Sequence, residues 1–261
     1  MICRGCRAGT APGSRPGGGF ASRVRVPPPA PFVLKGMILM IEKILKYEKL
    51  LSYFLYTNTL PPRQKAIKIS YYISAITEAL NLELTPLRNI GTHPSEVQKR
   101  LKMLKPIVDR LFNLFPLLLK MEEIDMVRLV DLLGILYEAS ASEKVKVFFE
   151  KIIKSSSDEI ALSELADVAY DIGLFDVSYK ALLKLFSMGN KRVEILYNIA
   201  LLEYLMGKNE SALLRLKKIS KNKKKVSFNY GRIAYLMGAI HLSRGDIEQA
   251  KKLFKIARGV K

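Results

Sequence analysis

With 261 residues, 49% of them hydrophobic, the chain can bury a sizeable core and has room for one large domain or two smaller ones. Its 43 Lys and Arg against 24 Asp and Glu give +19, a balance that favours acidic partners such as nucleic acid, anionic lipid or acidic protein surfaces. The cysteines are two, both near the N-terminus, and no window reaches roughly 18 uncharged apolar residues, so a disulfide-built body and a membrane-spanning helix are both excluded and a soluble chain is expected.

Residues 1–36 hold no acidic residue, five of the fifteen arginines, six of the twelve prolines and seven of the sixteen glycines. Such a composition cannot bury a core, and the segment reads as a disordered extension. It is either a targeting segment, Arg-rich and acid-poor, or an extension upstream of a start at Met37 or Met40. Cys3 and Cys6 form one C-x-x-C without the second ligand pair of a zinc site or the surrounding βαβ pattern of a redox pair.

From Met37 onward the apolar residues recur with helical period and period-2 alternation is almost absent, which predicts an all-α body. A first helix is expected over 40–56, ended by Pro61 and Pro62, and a second over 63–81. The run NLELTPLRNIGTHP is the expected internal boundary. Two further helices follow, 95–104 with Ser95 as N-cap and 106–119 opened by Pro106. These make a helical N-terminal region over 37–120.

Beyond residue 120, helices come in pairs with short turns. Gly173, Gly207 and Gly245 each close a first helix and stand 34 and 38 residues apart, the longer interval holding the loop SKNKKKVS. The last unit sets Ala234, Met237, Gly238 and His241 before its turn and Ala250, Phe254 and Ala257 after it. The middle unit matches with Leu196, Ile199, Ala200, Ala212, Leu216 and Ile219, and the earlier one with Leu162, Leu165, Ala166, Ser178, Leu182 and Leu185. A fourth, degenerate unit precedes them, with Ser140 at its turn and Leu133, Val145 and Phe149 at apolar places.

In these residues the chain resembles the tetratricopeptide repeat family, although the first-helix tryptophan and the closing proline are missing. The resemblance implies a superhelical solenoid of helical hairpins over 121–261. Helix axes in such hairpins approach to about 8–10 Å, so small residues are expected to face each other: Gly238 with Ala250, Ala200 with Ala212, and Ala166 with Ser178. Ala257 would do the same toward a neighbouring helix. Gly245 is expected at positive φ, with Asp246 capping the next helix.

No catalytic constellation is present: His93 and His241 stand far apart, MEEID at 121–125 suits a helix start, and no nucleotide, hydrolase or metalloprotease motif occurs. Neither a metal site nor a cofactor is expected. The family resemblance instead implies a groove lined by the first helices, with Asp167, Tyr170, Glu194, Tyr197, Asn198, Leu201, Tyr204, Arg232 and Tyr235 facing a protein partner or peptide segment. Ser163, Glu164 and Asp171 add to this face, whose acids could accept a basic segment. The alternative for each tyrosine is packing between repeats.

The reading is therefore a non-catalytic adaptor or assembly scaffold. The alternative is a basic helical-repeat protein associated with RNA or nucleoprotein through Lys217, Lys218, Lys221, Lys223, Lys224 and Lys225, a run without interleaved aromatics. The sequence ends at Lys261, directly after the last hairpin, so the reading is either an uncapped apolar edge that binds a second copy, as a homo-oligomer, or another protein, or a last helix made its own cap by Lys251, Lys252, Lys255 and Arg258. A lysine-rich, cysteine-free body suggests a cytoplasmic protein.

Overall fold

The computed structural model describes residues 31–57, 59–88, 92–121, 123–221 and 230–259, and the side chains from residue 38 on. Among them are eleven α-helices and no strand. Three long helices come first: α1 (Pro31–Tyr56), α2 (Pro62–Arg88) and α3 (Pro94–Leu118). Four pairs follow: α4 (Met126–Ser140) with α5 (Glu143–Ser155), α6 (Glu159–Asp171) with α7 (Phe175–Ser187), α8 (Val193–Leu205) with α9 (Asn209–Ser220), and α10 (Tyr230–Ser243) with α11 (Ile247–Ala257).

The N-terminal region departs from expectation in four places. The first helix begins at Pro31, so 31–36 is helical rather than part of a disordered extension. The second continues through Pro86 to Arg88, whose Nη1 donates to Asn81 Oδ1 at 2.7 Å and whose guanidinium pairs with Glu138 of α4. The two helices expected over 95–119 are one, with Pro106 and Pro116 inside it. An interior proline costs about 3 kcal/mol, but both prolines sit on the exposed side, while Leu104, Ile107, Val108, Leu111, Phe112 and Phe115 are buried. Each such burial stabilises by about 1.5–3 kcal/mol, which outweighs the lost backbone bonds. The cap of α3 is His93, whose Nδ1 accepts from the Ser95 N–H at 3.3 Å, so Ser95 is not the N-cap.

One buried apolar cluster extends from Ile44 and Leu51 of α1 through α2 to α7 and reaches Leu202 of α8, passing through the region around residue 120 without a break. A second lies under α8, α9 and α10, built on Ala200, Ala212, Leu216, Ile233, Leu236 and Ile240. Helices α2, α4 and α6 pack side by side, and each hairpin then leads into the next through α7 against α8 and α9 against α10.

The hairpin turns follow the expected chemistry. Gly173, Gly207 and Gly245 have φ of 79°, 77° and 80°, the left-handed region that a Cβ disfavours. At each, the glycine N–H donates to the carbonyl three residues back, and the next N–H donates five back, as in Leu174 to Ala169 at 2.8 Å and Lys208 to Glu203 at 2.7 Å. Asp246 caps α11 by accepting from the Gln249 N–H at 3.3 Å. In the degenerate unit the left-handed residue is Ala141, at φ 47°, one position beyond the Ser140 expected there.

Helix crossings also use small residues. Ser178 is buried and its hydroxyl donates to the Ala166 carbonyl at 2.7 Å, fixing α7 on α6. Ala200 and Ala212 are both wholly buried in one cluster. Gly238 differs: a Cβ there would lie 2.8 Å from Cε1 of Phe254, so the ring one turn beyond Ala250 sets the crossing of α10 and α11. Ala257 lies against a neighbouring helix, α10 of its own hairpin, where its carbonyl oxygen would stand 3.1 Å from a Cβ on Gly231.

Candidate functional site

The expected groove residues come from three successive first helices, α6, α8 and α10. Five of them meet: Asp167, Tyr170, Asn198, Leu201 and Arg232 line one cavity of about 240 Å³, floored by Ala166, Ser178 and Leu182. Arg232 also borders a wider depression of about 700 Å³ with Tyr197, Tyr235, Phe254 and Arg258. The two hollows thus share one guanidinium, and together they hold seven of the nine expected residues.

The tyrosines divide into two kinds. Tyr197 and Tyr204 are half-buried against the second core, together with Leu201. Tyr170 and Tyr235 are exposed, each resting on a phenylalanine of its own hairpin: Phe175 at 5.6 Å and Phe254 at 5.4 Å between ring centroids. Arg232 lies 5.2 Å from the centroid of Tyr197. Burial pushes the Tyr197 phenol up, and the nearby Arg232, by charge and hydrogen bond, pulls in the other direction. Glu194 is exposed in the first turn of α8, and Tyr204 lies near that helix's end; neither lines these hollows.

Carboxylates crowd the α4–α6 side. Burial first, and Asp171 second, hold Asp167 above its usual range. Glu164 is raised by burial and by Asp131 and Asp167, and Asp131 by burial and by Asp125 against its bond to Glu164. Among the described residues none of Asp131, Glu164, Asp167 and Asp171 forms an ion pair. The cleft is acidic at its α4–α6 end and cationic at Arg232 and Arg258.

A buried network behind the cleft escaped sequence reasoning. Glu203 of α8 is wholly buried, yet Arg215 of α9 donates to it twice, Nε to Oε2 at 3.1 Å and Nη2 to Oε1 at 2.8 Å. The hydroxyl of Tyr179 on α7 donates at 3.3 Å. Burial opposes the Glu203 charge, but the bonds from Arg215 and its neighbours outweigh it and hold the carboxyl below its usual range. A lone acid inside the apolar run IALLEYL was the available signal.

The other expected groups have structural tasks. His93 caps α3, and Nδ1 of His241 lies 3.0 Å from Oδ2 of the Asp246 cap. Lys217, Lys218 and Lys221 are exposed at the end of α9, whereas Lys223, Lys224 and Lys225 lie outside the described residues, as do Cys3 and Cys6. Among the described residues no group of three or more His, Cys, Asp or Glu could hold a metal ion, and no helix is long and apolar enough to cross a membrane.

The fold defines an all-α helical-repeat solenoid. No family model matches the chain, and no curated protein matches it either. Two solved structures are similar to it at low identity. A crystal structure of MamA is 18% identical with a TM-score of 0.40, covering 61% of this chain and 91% of its own. The crystal structure of BtubC (BKLC) from P. vanneervenii is 13% identical with a TM-score of 0.42, covering 86% of this chain and 90% of its own.

Proposed function

We propose that the chain is a non-catalytic scaffold that holds an extended segment of a partner protein in the cleft of α6, α8 and α10. The observation that carries this reading is the convergence of Asp167, Tyr170, Asn198, Leu201 and Arg232, from three helices, on one cavity. Asn198 offers both donors and an acceptor to a peptide backbone, and Tyr170 offers contact area at low entropic cost. Asp167 and the carboxylates beside it, none of them in an ion pair among the described residues, favour Lys or Arg at one end of the bound segment. Arg232 favours a carboxylate or backbone carbonyl at the other.

Affinity capture tests this. The full chain is compared with a variant carrying Asp167→Ala, Asn198→Ala and Arg232→Ala, after circular dichroism shows unchanged helicity. A protein captured by the first and lost by the second supports the scaffold reading. Capture that is nuclease-sensitive and unaffected by the three substitutions would replace it with binding through the basic surfaces.

A further inference from the structure

Among the described residues no ring lies under Lys217 or Lys218 of α9, but another surface has lysines and rings together. Five rings meet on the α1–α2 hairpin. Tyr72 lies 5.7 Å from Phe54, nearly parallel at 16°, and 6.2 Å from Tyr47. Tyr53 extends the group on the Phe54 side at 5.2 Å, and Tyr71 on the Tyr72 side at 5.4 Å, both close to perpendicular. The inner three rings are half-buried, whereas Tyr53 and Tyr71 are 52% and 58% exposed.

Cations surround these rings. The ammonium of Lys43 lies 5.9 Å from the Tyr47 centroid and that of Lys68 lies 5.0 Å from Phe54. Between residues 43 and 72 the chain carries six basic residues and a single acid, Glu48. That acid is buried and accepts from Arg110 Nε at 3.3 Å, so its charge is answered from α3. Glu42, one position upstream, is exposed and leaves the face strongly positive. Among the described residues Lys43, Lys46, Lys49 and Lys68 form no ion pair.

We propose that this face of α1 and α2 binds single-stranded nucleic acid, its lysines holding phosphates while bases stack on Tyr53 and Tyr71. Charge complementarity selects a polyanion, and the rings select among polyanions. An acidic peptide uses the lysines but has no flat group for the ring faces. A membrane surface calls for an apolar wedge, whereas between residues 43 and 72 Ile67 is the one large exposed aliphatic side chain among the described residues, the others of these two helices, Ile38, Leu39 and Leu82, lying outside that span. A single strand uses both features, because each phosphate carries a base with a π-face. A duplex keeps its bases stacked internally and offers only the phosphates.

The test is fluorescence anisotropy of the full chain with a labelled oligothymidylate of about 15 nucleotides, a length within the range such surfaces occupy. Tyr53→Ala and Tyr71→Ala are each expected to weaken binding about tenfold, and Tyr53→Phe and Tyr71→Phe to leave it nearly unchanged. Lys43→Gln and Lys68→Gln should each reduce the salt slope by about 0.7. Photo-cross-linking with a 4-thiothymidine strand should mark peptides within 43–72. These side chains are substituted at the surface, and unchanged helicity confirms that each variant is folded.

Several results would overturn the proposal: no binding at low salt, equal affinity for a duplex of the same length, or indifference to both alanine substitutions. Cross-links falling at 217–225 instead would move the contact to the lysine loop. Tyrosine-dependent binding to phosphatidylglycerol vesicles without binding to the strand would make the surface a lipid contact.

Discussion

Arg215→Ala should be the most damaging charge deletion in the chain. The wholly buried Glu203 carboxylate would lose two of its donors and keep the Tyr179 hydroxyl and Ser211. Breaking a buried ion pair costs about 3–5 kcal/mol, because the remaining charge is left desolvated. The Arg215 side chain is 25% exposed, so water reaches the gap and the low end, about 3 kcal/mol, is expected. Replacing both partners by methionine removes the stranded charge, and that double variant should lie within about 1 kcal/mol of the native protein. Urea titrations followed by circular dichroism of the native protein, Arg215→Met, Glu203→Met and the double variant give the four corners of the cycle, with a coupling of at least about 2 kcal/mol expected. The pH dependence has a definite sign. Glu203 is held below its usual range in the folded state, so its stabilisation is full above the unfolded carboxylate range and is lost as pH falls through the folded value. The penalty of Arg215→Ala should therefore shrink as pH falls, because the stranded, desolvated carboxyl protonates above its usual range while the native one still holds its charge below it. Additive single substitutions, or a penalty independent of pH, would refute the reasoning.

Gly238→Leu should cost more than about 2 kcal/mol in a thermal or urea melt, since even its Cβ would stand 2.8 Å from the Phe254 ring; Phe254→Ala in the same background should recover part of the loss. Ala141→Gly should stabilise by about 0.5–1 kcal/mol, relieving a left-handed alanine at φ 47° and giving up some of that gain to the unfolded chain, as chemical denaturation can show. Asp131→Asn should raise Tm at neutral pH by about 1–3 °C. The carboxylates of Asp131, Glu164 and Asp167 are held above their usual range, so their contribution is more favourable in acid and falls as pH rises through about 4; the gain in Tm should vanish below that pH.

The hairpin half was legible in the sequence because its signals are local: glycines at turns needing positive φ, an aspartate after Gly245, and small residues twelve positions apart across each crossing. Three features were not. Pro106 reads as a helix start when considered alone, and only the line of buried residues on the opposite side explains a helix that continues through it. Glu203 and Arg215 are separated by a turn, and their meeting depends on the crossing of α8 and α9. The five rings of α1 and α2 occur in separate stretches, 47–54 and 71–72, brought together by packing of those helices. In the cleft, the repeat pattern placed Asp167, Tyr170, Asn198, Leu201 and Arg232 on facing helices. Periodicity could not separate exposed Tyr170 and Tyr235 from half-buried Tyr197 and Tyr204, since all four lie on that face.

The central claim is that a partner protein occupies the cleft of α6, α8 and α10. Site-specific photo-cross-linking in cells tests it most directly, with benzoylphenylalanine placed at Tyr170 or Tyr235 and, as a control on α9, at the exposed Leu214. Adducts with one protein from both cleft positions, absent from position 214 and lost when Asn198→Ala is added, are predicted. Adducts from position 214 alone, or cleft adducts indifferent to Asn198, would contradict it.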